Sequence, residues 1–288
     1  MYFINGEKTK NEHNVITKTH KMNLLALTPC VVDYYPQIDK SFMGGNSLNV
    51  ASMWKKIDPQ LNVSVITCLG KDLNGEMIID YLNKIEIDTS RVYIKDGLTA
   101  CNQLRVDEFG ERYSIEGSWC GGLYETFSLS DSDWDWTTQH NIIAMPANNP
   151  NFQEMLKRKH NNQMLCVDYL DVENNVPIDE TIEYTNIAFI TARPHLLAKY
   201  KELAFATKKL LVVTLGALGS YTFFNKKTYY QPALPVSKVI DTTGCGDAYQ
   251  AAFALIYYET QNIQESMIAG ANAASQILQA WGGVGKVD

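Results

Sequence analysis

One stretch constrains the fold more than any other. It is Asp241-Thr242-Thr243-Gly244-Cys245-Gly246-Asp247 followed by Ala248-Tyr249-Gln250-Ala251-Ala252-Phe253-Ala254-Leu255. A helix that is apolar nearly all round leaves no face for water, so it has to be buried between layers with its start fixed by a turn. The first backbone N–H groups of such a helix lack internal partners and point outward with the positive end of the dipole. Glycines on either side of Cys245 clear the way for an anion to reach them. Asp247 then stands in the first turn, a carboxylate beside an anion hole. That pairing suits phosphoryl transfer to a hydroxyl, with the hole stabilising charge and the carboxylate accepting the proton. The plainer alternative is an acidic helix start, which gains ~0.3–1 kcal/mol from the dipole.

A buried helix needs layers on both sides, and the rest of the chain supplies them. Strand-like runs at 23–32, 63–69, 92–95, 141–145, 163–168, 186–191 and 210–215 are interleaved with helical patterns at 73–83, 152–159 and 194–206. This α/β alternation predicts a parallel sheet covered on both faces. The continuous apolar run Leu210 to Leu215 reads as a fully buried strand. Two departures from the rhythm are expected. Residues 98–106 and 111–116 form a hairpin around Glu108-Phe109-Gly110 that leaves the main sheet, and a second hairpin turns at Asn225-Lys226-Lys227. A last helix is expected from Ile263 to about Ala280, and Asp33 is placed at the end of the first strand, where open α/β sheets bind ligands.

Composition narrows the chemistry. The net charge of −7 argues against nucleic acid or an anionic membrane as the main partner, and no apolar run approaches the length of a bilayer span. The six cysteines have no C-x-x-C spacing and the five histidines no zinc spacing, so reduced thiols in a cytoplasmic protein are expected and no metal ligand is assigned. Residues 1–21 are polar and aperiodic and read as a disordered or adventitious extension ahead of a single domain over 22–288. Gly282-Gly283-Val284-Gly285-Lys286 falls short of a Walker A motif because Val287 replaces Ser/Thr and Ala280 the leading Gly.

Near the start stands a second glycine motif, Gly44-Gly45-Asn46-Ser47-Leu48-Asn49-Val50-Ala51. Alone it reads as an Asn-capped helix. Together with the Asp241–Asp247 run about two hundred residues later, it resembles the paired signatures of the ribokinase-like (phosphofructokinase B) sugar kinases. Within that family, Val32-Asp33-Tyr34-Tyr35-Pro36-Gln37 leading to Phe42-Met43-Gly44-Gly45-Asn46 is similar to the fructoselysine 6-kinases.

The resemblance implies a Rossmann-type three-layer sandwich with a small β-lid from about 34–43 and 97–118. It implies ATP and Mg²⁺, with K⁺ as a further candidate near the carbonyls of 241–243. Asp247 would be the base, with the Gly244, Cys245 and Gly246 amides as anion hole. Asp33, Gly45, Asn46 and Asn49 would hold the sugar, with Gln103 and Glu116 reaching from the lid. Thr214, Gly216, Gly219 and Asn272 would line the nucleotide, and lids in this family often pair subunits into a homodimer. Arg105 or Arg112 on the hairpin could clamp a substrate carboxylate bidentately, though an Arg on a ribbon is commonly a solvated face.

Two departures from the family pattern stand out. Thr28-Pro29 occupies the place of Gly-Asp, and proline brings no N–H to that turn. His195 stands where many members carry the Glu of an Asn-x-x-Glu motif. The expectation is therefore an ATP-dependent fructosamine 6-kinase. Fructose or another ketose is the alternative acceptor, and a sugar-binding protein that kept the fold is the alternative of another class.

Overall fold

The computed structural model describes residues 22–171 and 177–285, so the readings of 1–21 and of Lys286 lie outside the described residues. The layers form around the strand β1 (Asn23–Leu27), which is apolar over its last four residues and buried on both faces. Leu24 and Ala26 enter one hydrophobic core, and Leu25 and Leu27 enter the other.

Among the described residues the main sheet has nine strands. From one edge they run β13 (Lys227–Gln231), β12 (Ser220–Phe224), β11 (Leu210–Thr214), β10 (Ile187–Thr191), β9 (Met164–Asp171), β8 (Ile142–Pro146), β1, β4 (Asn62–Gly70) and β5 (Asp88–Lys95). β5 through β11 in this order are parallel, and β12 and β13 close the edge as an antiparallel hairpin. Its turn is carried by Asn225 and Lys226, both at positive φ, as a two-residue hairpin turn requires. Helices α1 (Asn46–Ile57), α2 (Leu73–Lys84), α7 (Cys245–Thr260) and α8 (Ile263–Ile277) cover one face. Helices α3 (Asp131–Thr137), α4 (Phe152–Arg158), α5 (Ile178–Thr181) and α6 (Leu197–Thr207) cover the other. This is the three-layer α/β architecture expected. No helix among the described residues is long and apolar enough to cross a membrane.

The expected first strand, 23–32, is two strands in different sheets. β1 ends at Leu27, the Thr28–Pro29 peptide is cis, and β2 (Val31–Tyr35) joins a small separate sheet. Pro29 has no N–H for a ladder, and the carbonyls freed at the break find side chains instead. Asn149 Nδ2 donates to Leu27 O at 2.9 Å and to Thr28 O at 3.1 Å, and Ser47 Oγ donates to Thr28 O at 2.7 Å. Asp33 therefore lies in the middle of a small-sheet strand, which corrects its placement at the end of a main-sheet strand.

The small sheet is ordered β3 (Lys40–Gly44), β2, β6 (Cys101–Val106), β7 (Arg112–Ser114). It is latched onto the loop before α7. Thr242 N donates to Gly110 O at 3.0 Å, Arg112 N donates to Thr242 Oγ1 at 3.1 Å, and Tyr35 Oη donates to Asp241 at 2.7 Å.

Candidate active site

Two helix starts meet at the C-terminal edge of the parallel strands. α7 begins after Gly244, whose backbone is left-handed at φ 77° and ψ 0°. A Cβ there would also overlap the backbone of Gly283, so conformation and space both demand glycine. The preceding loop is tied down by Asp241, fully buried and accepting four hydrogen bonds. They come from Tyr35 Oη at 2.7 Å, Gly282 N at 2.9 Å, Thr243 N at 2.8 Å and Thr243 Oγ1 at 2.6 Å. Of the three amides proposed for the anion hole, the Cys245 N–H is turned back to Thr242 O at 3.3 Å. Around Gly246, by contrast, nothing lies within 4 Å of where a side chain would begin. The start of α7 is thus rigid beneath and open above. Burial and the nearby carboxylates push the Cys245 thiol up, so it stays neutral and offers no nucleophile.

The second start is that of α1. Asn46 and Asn49 lie on its first turn and both reach across to α7, where Asn46 Nδ2 donates to Asp247 Oδ1 and Asn49 Nδ2 to Asp247 Oδ2, each at 2.7 Å. Both oxygens of Asp247 are thereby fixed. Burial raises the pKa of this carboxyl, while the two amides and the Arg112 guanidinium pull it back. The other ends of the amides, Asn46 Oδ1 and Asn49 Oδ1, are buried with no partner. Buried acceptors without a partner are costly, and a donor brought up to them would satisfy them. Asp33 completes the group from β2. A Cβ on Gly44 would overlap Asp33 Oδ2, so that glycine is what lets the carboxylate lie against β3. Burial pushes Asp33 up to about 7, and Arg112 opposes the rise.

A third carboxylate, absent from the sequence reading, lies beneath these. Asp168, 8% exposed near the end of β9, accepts from Asn46 Nδ2 at 2.9 Å and from Leu170 N at 2.8 Å. Burial, and next the charge of Asp247, push it up to about 7. The signal was available as an acidic residue closing the apolar run Leu165-Cys166-Val167.

The structure therefore brings together Asp33, Gly45, Asn46, Asn49, Gly244, Cys245, Gly246 and Asp247. It treats the hairpin residues differently. Asp33 pairs with Asn102, Leu104 with Ser114, and Val106 with Arg112, so the alternation of the pleat puts Asn102 and Arg112 on the face of Asp33. Gln103 and Arg105 take the opposite, exposed face, where the Arg105 guanidinium sits over Tyr113 at 5.5 Å. Glu116 is exposed beyond the end of β7. Gln103 and Arg105, expected at the sugar, therefore lie on the face away from Asp33, while Asn102 and Arg112 share its face. Thr214 ends β11 with its hydroxyl 3.0 Å from that of Thr191, and Gly216 and Gly219 bound the turn that follows. Asn272 is exposed on α8, its amide donating to Ile268 O of its own helix at 2.9 Å. His195 is exposed on the short turn Pro194–Leu196 after β10.

This geometry can orient a polyol, take a proton from one of its hydroxyls and hold an anion at the α7 start. The model of the pfkB family of carbohydrate kinases matches residues 28–286. A fructoselysine 6-kinase of Escherichia coli is 28% identical over 255 residues, covering 87% of this chain and 95% of that protein. A fructosamine kinase of Bacillus subtilis is 22% identical over 270 residues, covering 92% and 93%. Among solved structures, Arabidopsis thaliana ribokinase complexed with ribose and ATP superposes with a TM-score of 0.76 at 20% identity, covering 92% of this chain and 95% of that one.

Proposed function

The chain belongs to the pfkB family of carbohydrate kinases, and on that ground we propose that this ATP-dependent sugar kinase phosphorylates the 6-hydroxyl of a fructosamine such as fructoselysine. The observation that carries the chemistry is Asp247, held through both oxygens beside an open helix start. Asp33, Asn46 and Asn49 orient the sugar. As the 6-oxygen bonds to the γ-phosphorus and the bridge to ADP breaks, the hydroxyl proton passes to Asp247. The α7 N–H groups stabilise the charge gathering on the transferred group. The small sheet acts as the lid that keeps water, a competing acceptor, from the phosphoryl group. Among the described residues no group of three His, Cys, Asp or Glu side chains is placed to hold a metal ion, so they offer no protein cage for Mg²⁺.

The fructosamine reading is supported by the likeness to fructoselysine and fructosamine kinases and by Arg112 on the cleft face of the lid. A glycated amino acid carries a carboxylate that plain fructose lacks, and a guanidinium can bind it through two hydrogen bonds. Arg112→Ala should weaken kcat/KM for fructoselysine about 10–100-fold more than for fructose, the worth of a hydrogen bond to a charged group. Arg105→Ala, on the outer face, should treat both sugars alike. The reading is tested by ATP turnover against fructose, fructoselysine and other glycated amino acids. Preference for plain fructose would make the chain a ketose kinase, and equal losses in Arg112→Ala would remove the carboxylate contact.

The outer face of the lid exposes Tyr113 (46%), with Phe109 (75%) at the β6–β7 turn, and we propose that it pairs two copies into a homodimer. Sedimentation of the full chain should give twice the monomer mass, falling to one in Tyr113→Glu. A monomeric parent at micromolar concentration would contradict this.

A further inference from the structure

Asp168 has no place in the mechanism above, yet it is buried and hydrogen-bonded beside it. The Asn46 amide has two protons, and one points to Asp168 Oδ2 at 2.9 Å while the other points to Asp247 Oδ1 at 2.7 Å. A single –NH₂ thus links a buried carboxylate that faces no substrate to the one beside the α7 start. The amide orientation follows from this, because Asn46 Oδ1 in the same place would face two acceptors. Asp168 is fixed in turn from behind. Leu170 N donates to it at 2.8 Å, and Gln250, one helical turn after Asp247 on α7, gives it a further hydrogen bond. The adjacent strands β8 and β10 put Pro146 and Phe189 beside it and bring no charge.

We propose that Asp168 is a positioning residue for the transfer step, fixing Asn46 and through it the orientation and basicity of Asp247. The inference rests on the proposed kinase reading and assigns this carboxylate a part in it. Two carboxylates sharing one donor repel, and each makes the other hold its proton more tightly. An ionised Asp168 therefore makes Asp247 a stronger base towards the sugar hydroxyl. The direction of the raised pKa of Asp168 agrees, its second cause after burial being the charge of Asp247. The other charges facing Asp247 and the cleft are Arg112 on β7, Asp33 on β2 and Asp241 in the loop before α7. None is altered by the variants below.

Two variants push in the same direction by different amounts. Asp168→Asn keeps the shape and removes the charge, so Asp247 should lose basicity. Gln250→Leu removes a hydrogen bond that favours ionised Asp168, so Asp168 should ionise at higher pH. In the full chain labelled with [4-¹³C]aspartate, the Asp247 and Asp168 carboxyl signals are identified by their loss in Asp247→Asn and Asp168→Asn. Titration of Asp247 should move down by about one to two pH units in Asp168→Asn, the size expected for a like charge at this range. The acid limb of kcat at saturating sugar should follow it down, and should move down by a smaller amount in Gln250→Leu, where Asp168 stays neutral to higher pH. In Asp168→Asn, kcat at neutral pH should fall about tenfold while the sugar KM changes less than about threefold. If the Asp247 signal titrates at the same pH with and without Asp168, the proposal is overturned. It is equally overturned if kcat and KM worsen together with the limb unmoved, which is what a purely structural role predicts. If the carboxyl titrations shift but no sugar is phosphorylated, the coupling stands and the kinase reading of the site fails instead. Should Asp168→Asn not fold, Gln250→Leu decides alone, and an unmoved limb there overturns the idea.

Discussion

Asp247→Asn is expected to lower turnover about 10²–10⁴-fold, the usual cost of removing a general base, while sugar still binds. The substitution keeps the size and planarity of the group and removes its capacity to take a proton. It also replaces one acceptor with a donor, so one of the two amides that now donate at 2.7 Å would meet an N–H₂ group. Asn49 can absorb this by rotating its amide, because its Oδ1 has no partner to lose. Asn46 cannot, since its –NH₂ also serves Asp168. The rotated arrangement restores two good hydrogen bonds, and the pocket wall formed by Asp33, Asn46 and Asn49 stays in place. Calorimetric titration with the sugar should therefore give a dissociation constant within a few fold of the parent, against a rate loss of orders of magnitude. Near-full turnover in this variant would remove Asp247 from the role of base.

The contrast between Asp247 and Asp168 shows what could be read from the chain and what could not. Asp247 announces itself locally, because two glycines and an acidic first turn precede a helix with no polar face. Asp168 has no local motif. Its meaning depends on Asn46, which is 122 residues away in sequence and adjacent only after β9 and α1 meet at one sheet edge. The layered fold was legible for a related reason. Strands such as β11 and the helix α7 are so uniformly apolar that burial on both sides is their only stable state. Residues 119–140 show no element in the sequence, although Ser130 and Asp133 form a capping box that starts α3. Seven residues carry too little periodicity to show above the surrounding loop.

The small sheet marks a different limit. Alternation along β6 divides Gln103 and Arg105 from Asn102 and Leu104 but does not say which pair looks inward. That is decided by the register of β6 on β2, where Asp33 pairs with Asn102, and β2 begins only after the chain has left the main sheet at Leu27. An unbroken strand over 23–32 would have carried Asp33 into the main sheet and left nothing to set the face of Arg112. The strand boundary and the choice between Arg105 and Arg112 thus share one cause.

Gly246→Ala separates the functional glycine from the structural one. At Gly244 the left-handed backbone and the overlap with Gly283 mean that any side chain strains the loop, so loss of activity there would say little about an anion site. Gly246 lies in the first turn of α7 with ordinary helical backbone and nothing within 4 Å of a new Cβ. Packing therefore gives no reason for glycine, and alanine favours helix over glycine by ~0.5–1 kcal/mol. The melting temperature of Gly246→Ala should hold or rise slightly. If the transferred phosphoryl group comes up to this helix start, the added methyl occupies the space it needs and holds it away from the N–H groups. Turnover should then fall about 10²–10³-fold, the cost of losing one preorganised donor at a developing charge. Sugar affinity should be unchanged, because Asn46, Asn49 and Asp33 reach the pocket from α1 and β2. A variant that is as stable and as active as its parent would mean that no anion is stabilised above Gly246, and the transfer step would have to be relocated along the sheet edge.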